Sequence, residues 1–155
     1  MTTYAHSSAS VALTAANISS ATLNTLCHIA GAEFDNTPGL YDSVDLEVLY
    51  ELAATPVAGD PINLFILYAA GGTTYEDGIP GTNDGTAAAS PAPNVGAQVA
   101  SIGVTADANA HRINRKGIPI LPLKFRVVAY NGTTKNQETT NFAVNVFGIK
   151  RETTG

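Results

Sequence analysis

The sequence has little cysteine, tryptophan and charge, and these shortages exclude whole classes of protein. Its 155 residues include one cysteine, Cys27, and no tryptophan. A single thiol cannot close an intrachain disulfide or supply the cysteine pairs of a structural zinc site. No stretch approaches the roughly 18 consecutive apolar residues of a membrane span, and no Lys or Arg precedes the Ala/Ser-rich N-terminal stretch, as a signal peptide requires. We expect neither a disulfide-stabilised domain nor a membrane protein.

Positive charge is absent from the first two thirds of the chain. Residues 1–111 contain 11 acidic side chains and no Lys or Arg, whereas residues 112–155 contain all eight basic side chains and only two acidic ones. The net charge of −5 argues against a general nucleic-acid-binding protein. The asymmetry has two interpretations: ion pairs between strands neutralise it inside each monomer, or complementary faces attract further copies or a charged scaffold.

Two segments carry the clearest strand patterns. Residues 44–52 alternate apolar and acidic side chains, with Leu49 as the apolar exception, which predicts a strand with one buried and one solvated face. The apolar spacing within residues 46–53 also suits a helix, which stays the alternative. Residues 62–70 are almost continuously apolar between two turn-forming dipeptides, a pattern typical of a central strand buried on both faces.

Shorter patterns predict further strands. We expect a strand over residues 21–31 that ends at Gly31, and a glycine-interrupted strand over residues 95–104. Residues 118–123 contain two prolines, which confine that segment to a sheet edge or an extended approach.

The last third of the chain has the pattern of a hairpin. A strand over residues 124–130 should stop at Asn131-Gly132, a dipeptide favoured in tight hairpins, and return over residues 142–147 before a polar tail. Six or seven strands without a clear helix indicate an all-β fold, either a β-sandwich or a barrel.

The strands leave two long segments outside the predicted sheets. Residues 1–20 lack a pattern that would specify a packed element, so we predict a flexible N-terminal arm before a single domain over residues 21–155. Residues 71–94 are rich in Gly and Pro and exceed by far the usual connection of about 4 to 6 residues, which predicts a long loop that is functional or mobile.

We predict partner contacts at four residues, and no catalytic residue. Tyr4 lies in the arm, and the only short positive cluster lies in a predicted turn. The cluster consists of Arg112, Arg115 and Lys116. It is either a solvated loop or a docking site for an acidic protein surface. Nucleic acid fits it less well, because no aromatic residue for base stacking interleaves with the basic ones.

Enzyme and metal motifs are missing. The densest carboxylates, Asp45, Glu47 and Glu51, would line the solvent face of a strand rather than act as an acid and base pair. His28 follows Cys27 directly, so a strand would point the two side chains to opposite faces. The acidic part of the long loop, residues 76–84, lacks the spacing of an EF-hand, and a stabilising calcium ion there stays an alternative. We expect no enzyme activity, cofactor or dedicated metal site.

Five segments of the sequence carry a resemblance to known proteins. They are Gly31-Ala32-Glu33-Phe34-Asp35-Asn36-Thr37, Tyr41-Asp42-Ser43-Val44-Asp45-Leu46-Glu47-Val48, Pro61-Ile62-Asn63-Leu64-Phe65-Ile66-Leu67, Ile120-Leu121-Pro122-Leu123-Lys124-Phe125-Arg126-Val127 and Tyr130-Asn131. These segments resemble the small virion proteins of tailed bacteriophages, including capsid decoration (cement) proteins of β-sandwich or jelly-roll form. The similarity covers residues 21–149 and rests on strand order and these segments, not on a catalytic motif.

The resemblance implies a structural role in the virion. The chain would decorate and stabilise the capsid surface after synthesis in the host cytoplasm. Its partners would be the major capsid protein and copies of itself, in a homo-oligomer such as a trimer, with no nucleic acid or membrane involved. The alternatives are a ligand- or glycan-binding sandwich and a tail or head-to-tail connector subunit. The absence of tryptophan weakens the glycan alternative, because sugars stack on exposed aromatic rings.

Overall fold

The computed structural model describes residues 3–7, 26–69, 75, 88–89, 97–138 and 141–154. These residues form nine β-strands and no helix, so the all-β prediction is confirmed for them. The strands are β1 (Thr3–Ser7), β2 (Cys27–Asp35), β3 (Ser43–Tyr50), β4 (Pro61–Tyr68), β5 (Ala88–Ala89), β6 (Gln98–Gly103), β7 (His111–Pro119), β8 (Lys124–Asn131) and β9 (Ala143–Thr154).

The strands build two antiparallel sheets. The first sheet has the order β1-β9-β3-β7 and the second has the order β5-β2-β8-β4-β6. The pairing is nested along the chain, because β1 pairs with β9, β2 with β8, β3 with β7 and β4 with β6. Pairing of β3 with β9 joins two of these strand pairs into the first sheet, and pairing of β4 with β8 joins the other two into the second. The chain therefore runs as one long hairpin that is folded over into a two-sheet sandwich.

Strand β3 confirms the period-two prediction and excludes the helical alternative. Its buried positions Val44, Leu46, Val48 and Tyr50 alternate with half-buried ones. The buried side chains belong to the main core between the two sheets. A strand was favoured over a helix because every second residue, not every third or fourth, is apolar.

Strand β4 is the central strand that its continuous apolar sequence predicted. It lies between β8 and β6, and Leu64 and Ile66 point into the main core. Phe65 and Leu67 point to the opposite face, where they are buried with Val128 in a second cluster. Both faces of this strand exclude water, so alternating polar residues would have cost stability at either face.

Strand β2 is displaced from its predicted range. It continues past Gly31 to Asp35, and its register with β8 shifts between Ala30 and Glu33. Gly31 therefore lies at a β-bulge and does not end the strand, a role in which an isolated glycine is common. Residues 21–25, which the sequence assigned to this strand, lie outside the described residues.

The predicted hairpin at Asn131-Gly132 is wrong. Strand β8 pairs with β2 and β4, and β9 lies in the other sheet. The Asn131 side chain accepts hydrogen bonds from the backbone N–H and hydroxyl of Thr133 at 3.0 and 2.7 Å, and donates to the carbonyl of Lys135 at 2.8 Å. These bonds shape a turn that carries the chain across to the other sheet instead of reversing it within one sheet.

The terminal segments differ from the predicted arm and tail. Within the predicted arm, β1 pairs residue by residue with the last part of β9, so that Tyr4 lies opposite Thr153. The polar tail is thus the end of a strand. Residues 8–20 lie outside the described residues, as does most of the predicted 71–94 loop, of which Tyr75 and Ala88–Ala89 are described.

Candidate functional site

The predicted basic turn is wrong, because its residues form the edge strand β7. This strand pairs with β3 on one side and ends the first sheet. An edge strand needs hydrogen bonds along one side only, and charged side chains and proline are common there because they block pairing with other chains. A strand with such side chains has the polarity of a loop, which explains the error.

Alternation along β7 separates the three basic residues. Arg112 and Lys116 are exposed on the outer face, whereas Arg115 lies opposite the core residue Leu46 and is half-buried. The Arg115 guanidinium donates to the carbonyl of Ser101 on β6 at 3.4 Å. Arg115 therefore links the two sheets across the open side of the sandwich, and the three side chains do not form one patch.

The Arg112 side chain is bonded to a neighbouring strand of its own sheet. Its guanidinium forms an ion pair with Glu47 on β3, and Asn145 on β9 donates to the same carboxylate oxygen at 3.0 Å. These bonds, that from Arg112 first, lower the pKa of Glu47. A second pair joins Lys124 to Glu33 at 2.9 Å across β8 and β2. Both pairs join the acidic and basic parts of the sequence, as the interpretation of neutralisation within each monomer predicts.

Tyr4 lies far from the basic residues in the sheet order. Strands β1 and β7 are the two opposite edges of the first sheet. The partner of β1, residues 150–154, lies beyond the last pair between β3 and β9, which is Ser43 with Ile149. Residues 3–7 and 150–154 thus form a two-stranded ribbon past the start of β3. The structure does not bring Tyr4 and β7 together.

His111, the first residue of β7, has the partners of a catalytic triad but not its geometry. Nε2 of His111 lies 2.8 Å from both the Asp107 carboxylate and the Thr105 hydroxyl. A relay needs the nucleophile and the orienting carboxylate on different ring nitrogens, and here one nitrogen serves both. The backbone N–H of Asn109 and then His111 lower the pKa of Asp107 to about 2. These contacts fix the connection into β7.

A polar cluster joins the long connection to the outer face of the second sheet. The Tyr75 hydroxyl donates to Glu33, and the buried Arg126 guanidinium lies 4.7 Å from the centre of the Tyr75 ring. The hydrogen bonds from Tyr75 and then Lys124 lower the pKa of Glu33. Tyr75 also packs on the apolar cluster beside Phe65. Sequence patterns missed this cluster because its members lie on separate strands and in the long loop.

His28 lies on the same outer face and is also nearly buried. Burial lowers its pKa, and neither ring nitrogen has a hydrogen-bond partner among the described residues. The side chain of Cys27 lies outside the described part, as do residues 76–84 of the calcium alternative. Among the described residues, no group of three His, Cys, Asp or Glu side chains is arranged to hold a metal ion.

The large apolar side chains that the described surface exposes are all aliphatic. They are Leu26, Leu40, Val57 and Leu121. Leu40 and Leu121 lie in the connections from β2 to β3 and from β7 to β8, which meet at one end of the sandwich. No sequence pattern identifies this pair, because the type of a loop residue does not show whether its side chain faces the core or solvent.

Comparison of the chain with protein-family models, with curated proteins and with solved structures finds no match. Within the described residues, no helix is long and apolar enough to cross a membrane.

Proposed function

We propose that this chain is a non-enzymatic structural protein of a virion, with a jelly-roll fold, which decorates the capsid shell of a tailed bacteriophage and stabilises it through protein–protein contacts. The virion role follows from the resemblance of the sequence to small virion proteins.

The nested strand order is the observation that carries the proposal. Without the two-residue β5, eight strands remain, and they pair first with eighth, second with seventh, third with sixth and fourth with fifth. A jelly roll is a long hairpin folded into two sheets of four strands, so this strand order supports the proposed jelly roll, and viral capsid proteins are among the groups that use that fold. Lectins use it too, so the fold alone does not decide the function.

The surface favours a protein partner over a sugar. Carbohydrate sites stack sugar rings on exposed aromatic side chains, whereas the four exposed large apolar side chains of the described surface are Leu or Val. Aliphatic side chains of this kind suit a contact with another protein, where they can be buried in a dry pocket. The geometry at His111 also favours a structural role, because its two side-chain partners share one nitrogen.

The proposal is tested on particles of the phage that encodes the chain. Purified protein is added to shells assembled without it, and the bound copies per shell are counted by quantitative mass spectrometry after sedimentation. Saturable binding in proportion to the repeating units of the shell, together with greater resistance of the shell to heat, is expected. Recovery in tail fractions alone would support the connector alternative. An absence of binding to shells and to virions would overturn the proposal.

A further inference from the structure

The end of the sandwich at which β3 begins carries a rigid apolar tip. The connection from β2 to β3 exposes 53% of Leu40, and the connection from β7 to β8 exposes 52% of Leu121. We call these two side chains the leucine tip. Both main chains are fixed: Leu40 N–H donates to the Asn36 carbonyl at 3.0 Å, and Leu121 N–H donates to the Tyr68 hydroxyl at 3.1 Å.

The buried Asn36 side chain joins the two connections. Its amide donates to the carbonyl of Leu121 at 2.9 Å and to that of Tyr41 at 3.0 Å, while its oxygen accepts from Tyr41 N–H at 2.8 Å. Connections held in this way lose little conformational entropy when a partner binds, so the apolar area they expose contributes more fully to affinity.

Leu40 is also held in an unfavourable backbone conformation. Its φ of 46° lies in the left-handed region, which a bulky side chain seldom adopts. Glycine or asparagine would fit this position at lower cost, yet a large apolar residue occupies it and faces solvent. Strain of this kind clusters at functional sites.

We infer that the leucine tip docks into an apolar pocket of the capsid shell protein, and that basic residues border this pocket. This inference rests on the proposed function. The basic border follows from charge, because two exposed acidic residues, Asp35 at the end of β2 and Asp42 in the connection to β3, lie on either side of Leu40 in the sequence. A membrane surface rich in anionic lipid would repel these carboxylates, whereas Lys or Arg side chains of a protein attract them.

The test uses asparagine substitutions, which remove apolar area without adding charge. Leu40→Asn and Leu121→Asn are compared with Val57→Asn, which changes a somewhat more exposed apolar side chain beyond the opposite end of β3. Each leucine is about half exposed, so each substitution should weaken shell binding about fivefold, and the double variant should bind more weakly than either single variant. The Val57→Asn control should bind as the unchanged protein does.

Stability measurements separate docking from folding. Because asparagine tolerates the left-handed conformation, Leu40→Asn should raise the thermal midpoint of the free protein while it weakens binding. A destabilised protein cannot give that combination. Raised salt should also weaken binding of the unchanged chain by screening the charged border.

The outcomes distinguish the inference from the proposed function. If the unchanged chain binds shells and both leucine variants bind equally well, the leucine tip is not the contact and the inference is wrong, while the proposed function stands. If the unchanged chain does not bind shells, the proposed function fails and the inference fails with it. Binding of the unchanged chain to phosphatidylserine vesicles, or dimerisation that Leu121→Asn abolishes, would assign the tip to another occupant and overturn the inference.

Discussion

The stability of the leucine tip should depend on a single buried amide. Asn36 is 1% exposed and its side chain makes three hydrogen bonds to backbone groups of two connections. Asn36→Ala removes all three and leaves one N–H and two carbonyl groups without those partners. At roughly 1 kcal/mol net for each bond, the free energy of unfolding should fall by about 3 kcal/mol.

Asn36→Asp makes the same position sensitive to pH. The new carboxyl keeps an acceptor for the Tyr41 N–H but, when ionised, faces the carbonyl oxygens of Tyr41 and Leu121 with no hydrogen to donate. Burial and these oxygens raise its pKa in the folded state above the usual value of about 3.9. Below that usual pKa, both folded and unfolded states hold the proton and the variant has no charge penalty. Its stability should then fall as the pH rises, and level off above the folded pKa.

Urea denaturation of both variants at pH 4 and pH 7 checks this reasoning. Asn114→Ala, on the exposed face of β7, is the matched control and should change the free energy of unfolding by less than about 0.5 kcal/mol. If Asn36→Ala is as stable as the unchanged protein, the three bonds do not hold the two connections. A loss for Asn36→Asp that is equal at both pH values would show that its carboxyl does not face the carbonyl oxygens.

Three further predictions follow from single contacts. Gly148→Ala should lower the free energy of unfolding by about 1–3 kcal/mol in chemical denaturation, because the added Cβ would lie 2.8 Å from the Tyr41 ring. The control Gly103→Ala, whose added Cβ would lie 3.5 Å from the nearest atom, should lose much less stability, and equal losses for the two variants would contradict this packing. Asp107→Asn should lower the thermal midpoint at pH 5 but not at pH 2. The depressed pKa of Asp107, about 2, gives stability that is present above the ordinary pKa of 3.8 and lost as the pH falls through 2, so a difference in thermal midpoint that is the same at both pH values would refute this reasoning. Deletion of residues 1–20 should weaken assembly on shells but lower the monomer's thermal midpoint only slightly, because β1 pairs only with the projecting end of β9 among the described strands. A large drop in the thermal midpoint would show that β1 is an integral strand of the domain.

The strands that the sequence determined are those whose pattern is local. In β3 the alternation of apolar and acidic residues fixes both the strand and the face that is buried, and in β4 the continuous apolar run requires a position with both faces covered. Each pattern follows from the two-residue repeat of a strand and from the cost of burying polar groups, so no knowledge of distant residues is needed.

Tertiary structure decided the features that depend on distant partners. Strand β7 has the composition of a loop, and it is a strand because β3 provides hydrogen bonds along one side while its charged side chains reach Glu47 and Ser101. The dipeptide Asn131-Gly132 suits a hairpin locally, but β8 finds its partners in β2 and β4, far away in sequence.

The candidate contact surfaces show the same division. The sequence identified basic residues as candidates, but it did not determine that Arg112 is paired within its own sheet and that Arg115 spans the two sheets. Nor did it mark Leu40 and Leu121, whose two connections are joined by hydrogen bonds of Asn36. A side chain's type is fixed by the sequence, whereas its exposure and its neighbours follow from how the whole chain folds, because burial is a property shared by residues that only the fold brings together.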